Sequence, residues 1–197
     1  MQNTKKKNTN NTQEKTIYTL KDPNKSIALI GMPGCFKSTV GKLLAKQLGL
    51  VFCDTDALYE KKHGISISET FETLGEEVFR ARESVLVARA AQKKGLLIST
   101  GGGVVVREEN ITALKNSCVV IQLYANVYTI FARIRNSKNR PLLKDMTVYA
   151  IEELYAGRKD LYARAADFKI ITDGKMPKAI AQEIIDIVCV AAENKTL

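Results

Sequence analysis

The stretch Ser26–Leu48, SIALIGMPGCFKSTVGKLLAKQL, constrains this chain more than any other. Ile27 to Ile30 form a short apolar run suited to a buried parallel strand. From Val40 the spacing changes: Val40, Leu43, Leu44 and Leu48 fall on one helical face, and Gly49 stops it. Between strand and helix lies a turn on Gly31 and Gly34, followed by Cys35, Phe36, Lys37, Ser38 and Thr39. The pattern is that of a phosphate-binding loop, G-x-x-x-x-G-K-[ST], except at one position. In such a loop main-chain N–H groups and the helix N-terminus hold phosphate oxygens, the lysine reaches the outer phosphates, and the hydroxyl takes Mg²⁺. The exception is Phe36, which stands where the pattern has glycine. A bulky residue forced to positive φ there costs roughly 1–2 kcal/mol, with a weaker hold on nucleotide as the expected result. Its ring cannot lie in the phosphate cradle and is expected to point out of the loop, towards solvent or a lid.

The length of 197 residues and the 45% hydrophobic content suit one compact domain. No apolar run is long enough for a transmembrane helix, and no secretory start is visible, so a soluble cytoplasmic protein without a membrane partner is expected. The four cysteines have no C-x-x-C spacing and read as reduced core residues, while the lone histidine, His63, reads as a surface residue. Zinc chemistry and histidine-based nucleophilic catalysis therefore have little to work with. Of the net charge of +9, residues 1–26 supply a surplus of four, from six lysines against Glu14 and Asp22. The remaining arginines are scattered over several elements rather than lined along one helix, which argues for a small polyanionic substrate and against nucleic acid.

Residues 1–24 are polar and Asn/Thr-rich, and are expected to form a disordered tail ahead of a single domain over 25–197. Strands are expected at Leu50–Cys53, Leu96–Thr100, Cys118–Leu123 and Phe168–Thr172. Helices alternate with them: Ala57–His63, one opened by the capping box Ser66-Ile67-Ser68-Glu69, and a longer one from Gly75 to about Lys94 with Val78, Phe79, Val85, Leu86 and Ala90 as its apolar face. Further helices follow at Val127–Arg135, Val148 to about Ala166, and Lys178 to about Ala192. The polar loop from Asn136 to Thr147 has the length of a lid. This alternation gives a three-layer α/β domain on a parallel sheet. Asp54 and Asp56 fall at a strand's carboxyl end, facing the crevice where α/β sheets bind ligands. Ser38 directly and Asp54 through water make a plausible Mg²⁺ pair, since that ion is held by few protein oxygens. Gly101-Gly102-Gly103 leaves main-chain N–H groups exposed at another strand end.

In this order the motifs resemble those of the shikimate kinases, in the nucleoside-monophosphate-kinase-like branch of phosphate-loop folds. They are the phosphate loop, Asp54-Thr55-Asp56, GEEVFRARE from Gly75, the triple glycine, Arg140-Pro141-Leu142-Leu143 in the lid, and Arg158 with Leu161-Tyr162. The resemblance spans about residues 26–192 and implies a five-stranded parallel sheet of order 2-3-1-4-5. It further implies ATP-dependent phosphorylation of the 3-hydroxyl of shikimate by a monomer. Arg80 and Arg158 would clamp the shikimate carboxylate. Asp56 would hold ring hydroxyls and help deprotonate the attacking one, and Gly101, Gly102 and Gly103 would offer N–H groups to the substrate. Lys37 and Arg140 would neutralise the moving phosphoryl group, and Arg133 and Lys175 would lie near the adenine. Two alternatives remain open at this level: a non-catalytic relative with poor ATP binding through Phe36, and a kinase of another small hydroxylated acid.

Overall fold

The computed structural model describes residues 18–135 and 146–191. Five strands form a parallel sheet: β2 (Ser26–Ile30), β3 (Val51–Asp54), β4 (Leu96–Ser99), β5 (Cys118–Tyr124) and β6 (Phe168–Ile171). Their spatial order is β3-β4-β2-β5-β6. Counted over these strands alone, that is the expected 2-3-1-4-5. All of β2 is buried, as a central strand covered on both faces requires. Helices α1 (Lys37–Leu48) and α9 (Pro177–Val188) pack on each other beside the sheet, as do α4 (Glu76–Ala91) and α5 (Glu108–Ser117). Between β3 and α4 lie α2 (Thr55–His63) and α3 (Ile67–Thr73). Ser66 caps α3, its Oγ accepting from Glu69 N–H at 3.1 Å.

Register is what assembles the site. Asp54 pairs with Ser99, and Ser99 with Leu29, so the carboxyl ends of three neighbouring strands lie abreast. The loop after β2, the start of α2 and the turn after β4 therefore emerge side by side at the carboxyl edge of the sheet.

The structure departs from the sequence reading in several places. Tyr18–Leu20, assigned above to the tail, form β1, which pairs antiparallel with β7 (Cys189–Ala191). The closing helix thus stops at Val188, short of residue 192. A three-residue strand is too short to show a period, and β7 continues the apolar run of α9, so neither was visible beforehand. Helix α5 went unread because its polar first turn, Glu108-Glu109-Asn110, hides the apolar pair Ile111 and Leu114. The helix expected from Val148 to Ala166 is two, α7 (Val148–Ala156) and α8 (Lys159–Ala165), separated where Arg158 leaves helical torsions at φ −122°. On α4, Val78 and Val85 are exposed, whereas Arg80 and Glu83 share the buried face with Phe79, Leu86 and Val87.

Candidate active site

Helix α1 begins at Lys37, so its first-turn N–H groups open into the loop that precedes it. Lys37 is 6% exposed, and its Nζ donates to the carbonyls of Gly31 (2.8 Å) and Met32 (3.0 Å). These bonds hold the ammonium across the loop mouth, where an anion would meet it. Phe36 is the N-cap, at φ 69° and ψ 14°, and is the non-glycine residue with positive φ among those described. The left-handed torsion that glycine normally supplies is therefore adopted here by phenylalanine. Its ring, expected to point towards solvent or a lid, is half-buried against Arg133. The guanidinium carbon lies 3.8 Å from the ring centroid. Arg133, on α6 (Val127–Arg135), also donates to Gly34 O (3.1 Å), Thr172 Oγ1 (3.0 Å) and Thr172 O (2.9 Å).

Ser38 Oγ donates to Asp54 Oδ2 at 2.7 Å and lies 3.2 Å from Ser99 Oγ. Asp54 in turn caps α2, its Oδ1 accepting from the N–H groups of Asp56 (3.2 Å) and Ala57 (3.4 Å). The pair offers one hydroxyl and one carboxylate at the loop, and no cluster of three or more His, Cys, Asp or Glu able to hold a metal occurs among the described residues. So sparse a donor set fits Mg²⁺, which keeps its waters and takes its other oxygens from phosphates.

The triple glycine packs between this loop and the charged groups of α2 and α4. A Cβ on Gly102 would lie 2.7 Å from Pro33 Cδ, so the turn touches the phosphate loop directly. A Cβ on Gly101 would meet Asp56 Oδ1 at 2.6 Å and Glu83 Oε1 at 2.9 Å, and one on Gly103 would meet the Arg80 guanidinium at 2.3–2.6 Å. Gly102 O accepts from Arg158 Nη1 (3.2 Å) and from Tyr162 Oη (2.5 Å). Asp56 on α2, Arg80 on α4 and Arg158 at the α7–α8 junction are gathered by this one turn. Arg80, 7% exposed, is bound by Glu76 through Nε (3.1 Å) and Nη2 (3.0 Å), and by Glu83 through Nη1 (2.7 Å). Those three bonds do not exhaust the donors of a guanidinium, which retains capacity for a further anion.

Glu83 closes the GEEVFRARE motif, but the sequence reading gave it no role. It is 3% exposed, and its Oε1 has no hydrogen-bond partner among the described residues. Burial pushes its pKa up, and Arg80 foremost, then Arg158, pulls it back. The available signal was its position: an acid at the helical spacing of Phe79, Leu86 and Ala90 is an acid on a buried face. Tyr162 was noticed only as part of a motif. Burial raises its phenol well above the usual range, which keeps it a proton donor to Gly102 O.

Other expected residues fall differently. Arg140 lies outside the described residues. Lys175 sits in the turn after β6, close to Thr172, but its ammonium reaches Glu183 on α9 at 2.5 Å. Thr39 is exposed on α1. Cys35 is buried beneath the loop, and burial raises its thiol, as it takes Cys118 to about 12. These are core thiols rather than nucleophiles. His63 is half-buried against Tyr59, with ring centroids 4.7 Å apart, rather than fully at the surface.

The family model for shikimate kinase matches residues 33–189. The shikimate kinase of Thermodesulfovibrio yellowstonii is 44% identical over 162 residues, which is 82% of this chain and 93% of that protein. That of Actinobacillus succinogenes is 39% identical over 166 residues, 83% of this chain and 95% of its own. Among solved structures, the shikimate kinase of Acinetobacter baumannii in complex with shikimate superposes with a TM-score of 0.79 at 35% identity, covering 83% of this chain and 92% of that one.

Proposed function

The chain belongs to the shikimate kinase family, and on that premise we propose that it transfers the γ-phosphoryl group of ATP to the 3-hydroxyl of shikimate. The observation that carries this reading is the gathering of Asp56, Arg80 and Arg158 on a glycine turn that abuts the phosphate loop. The α1 N-terminus and Lys37 bind the ATP phosphates, with the loop N–H groups supplying fixed donors. Arg80 and Arg158 take the carboxylate of shikimate, and Glu83 keeps the Arg80 fork in place from its buried side. Asp56 accepts a hydrogen bond from the attacking hydroxyl and takes its proton as the phosphoryl group arrives. Ser38, with Asp54 behind it, is placed to hold Mg²⁺, which would neutralise charge on the phosphate oxygens. Arg140 in the lid, Arg133 and Lys175 complete the nucleotide side of the proposal.

Four free cysteines, three of them buried, suit a reducing compartment, and no helix among the described residues is long and apolar enough to cross a membrane. We take the protein to act as a cytoplasmic monomer, with small molecules rather than nucleic acid or a membrane as its partners. A non-catalytic role is not favoured, because Phe36 adopts the left-handed torsion that a glycine would supply. The test is ADP release from ATP in a coupled assay, with shikimate compared against gluconate and no acceptor. Release that depends on shikimate supports the proposal. Equal rates with gluconate, or none with either, would sink it.

A further inference from the structure

Phe36 departs from the phosphate-loop pattern, yet the fold keeps it in a strained torsion and gives its ring a specific partner. The guanidinium carbon of Arg133 lies over the ring, 3.8 Å from its centroid. Three hydrogen bonds to Gly34 and Thr172 hold the remainder of that guanidinium edgewise. The two side chains form part of the wall of a cavity of about 140 Å³ that also includes Lys37 and Ser38. Arg133 is half-buried and lines this cavity. Guanidinium planes stack on aromatic rings of either kind, protein or base.

We propose that Phe36 is a nucleotide-positioning residue: its ring seats the Arg133 guanidinium so that the opposite side of that plane receives the base of a nucleotide whose phosphates lie in the loop. This rests on the ATP-dependent reading above. It also changes what the phenylalanine does there. The left-handed torsion is set by the fold and its cost falls on folding, whereas the ring contributes to binding through Arg133.

Four variants decide the matter: Phe36→Leu, Phe36→Tyr, Arg133→Gln and the double Phe36→Leu/Arg133→Gln. Titrations use Mg-ATP and Mg-tripolyphosphate, which share the phosphates but not the base. Phe36→Leu is expected to weaken Mg-ATP roughly 3- to 30-fold, the range of a partly desolvated stacked cation, while tripolyphosphate affinity stays unchanged. In turnover the loss appears in KM for ATP, with kcat and KM for shikimate held. Phe36→Tyr restores wild-type behaviour, and the double variant is no weaker than Arg133→Gln alone. Equal losses for ATP and tripolyphosphate would mean that the ring acts through loop shape and would overturn the proposal, as would additive effects in the double variant. A wild type that binds Mg-ATP but releases no ADP with shikimate overturns the kinase reading instead, and the titrations still decide the role of Phe36.

Discussion

The phosphate loop after β2 and the glycine turn after β4 end neighbouring strands and touch at Pro33 and Gly102, yet they need glycine for different reasons. In the turn the requirement is space. Any Cβ on Gly101 or Gly103 would enter the positions of the Asp56 carboxylate, Glu83 or the Arg80 guanidinium. In the loop the requirement at residue 36 is torsion alone: φ is 69°, and the side chain has somewhere to go, onto Arg133. A torsional demand carries a fixed, modest penalty of about 1–2 kcal/mol, which other contacts offset. A demand for space is met only by moving the charged groups that fill it. Position 36 could therefore give up its glycine, whereas Gly101 and Gly103 could not.

The largest effect is expected from Gly103→Ala. The added methyl displaces the Arg80 guanidinium, and shikimate affinity should fall about 100-fold or more, on the order of the 2–5 kcal/mol lost when a partner of a buried charge pair is removed. Isothermal titration with shikimate reads this, with ATP titration as the control. Normal shikimate binding in the variant would break the distinction, since Arg80 would then have room to move. Arg80→Ala should lose shikimate binding to a similar extent and also lower stability, because Glu83 is left buried without its main cation. Adding Gly103→Ala to Arg80→Ala should change shikimate affinity by less than about threefold, because both act through one guanidinium. A further large loss would show that the turn has a second role.

Glu83→Gln sharpens the space side of the comparison. Arg80 keeps Glu76 but loses its buried carboxylate, and KM for shikimate is expected to rise about 10-fold with little change for ATP. The pH dependence has a definite sign. Burial raises the folded-state pKa of Glu83 above its ordinary 4.5, so the folded protein binds the proton more tightly than the unfolded chain does. The associated stability is fully present below pH 4.5 and is lost as pH rises through the folded value. The stability of wild type relative to Glu83→Gln should thus decline as pH increases over that window in urea melts. A difference that grows with pH would mean that Arg80 outweighs burial.

The smallest effect isolates torsion. Phe36→Ala and Phe36→Gly both remove the ring, and differ only in what the backbone tolerates at φ 69°. The glycine variant should be the more stable by about 1 kcal/mol, or about 2–4 °C in melting temperature. Their affinities for Mg-ATP should agree within about twofold. A glycine variant that binds ATP more tightly than wild type would instead place the strain in the binding step, as the sequence alone suggested.

Much of this was legible in the chain. The strand–loop–helix transition at Ile30 to Val40 is local chemistry, with apolar run, glycines and helical period within one stretch, so the loop was visible without coordinates. Asp54 and Asp56 could be placed because they follow an apolar run directly. Glu83 was harder: its acidity suggests solvent, and only its spacing on α4 betrays burial. The division at Arg158 was harder still, since one residue in a non-helical torsion leaves no mark on the apolar period on either side.

The sequence by itself determined the alternation of elements, the sheet they build and the residue types at each strand end, because periodicity and turn chemistry act over a few neighbouring residues. Only the tertiary structure decided which of those residues meet. The parallel register laid Leu29, Asp54 and Ser99 abreast, brought Arg80 from α4 and Arg158 from the α7–α8 junction onto one glycine turn, and set the Phe36 ring against Arg133, 97 positions along the chain. Such meetings depend on long-range packing between elements, and no local pattern encodes the partner of a side chain that far away.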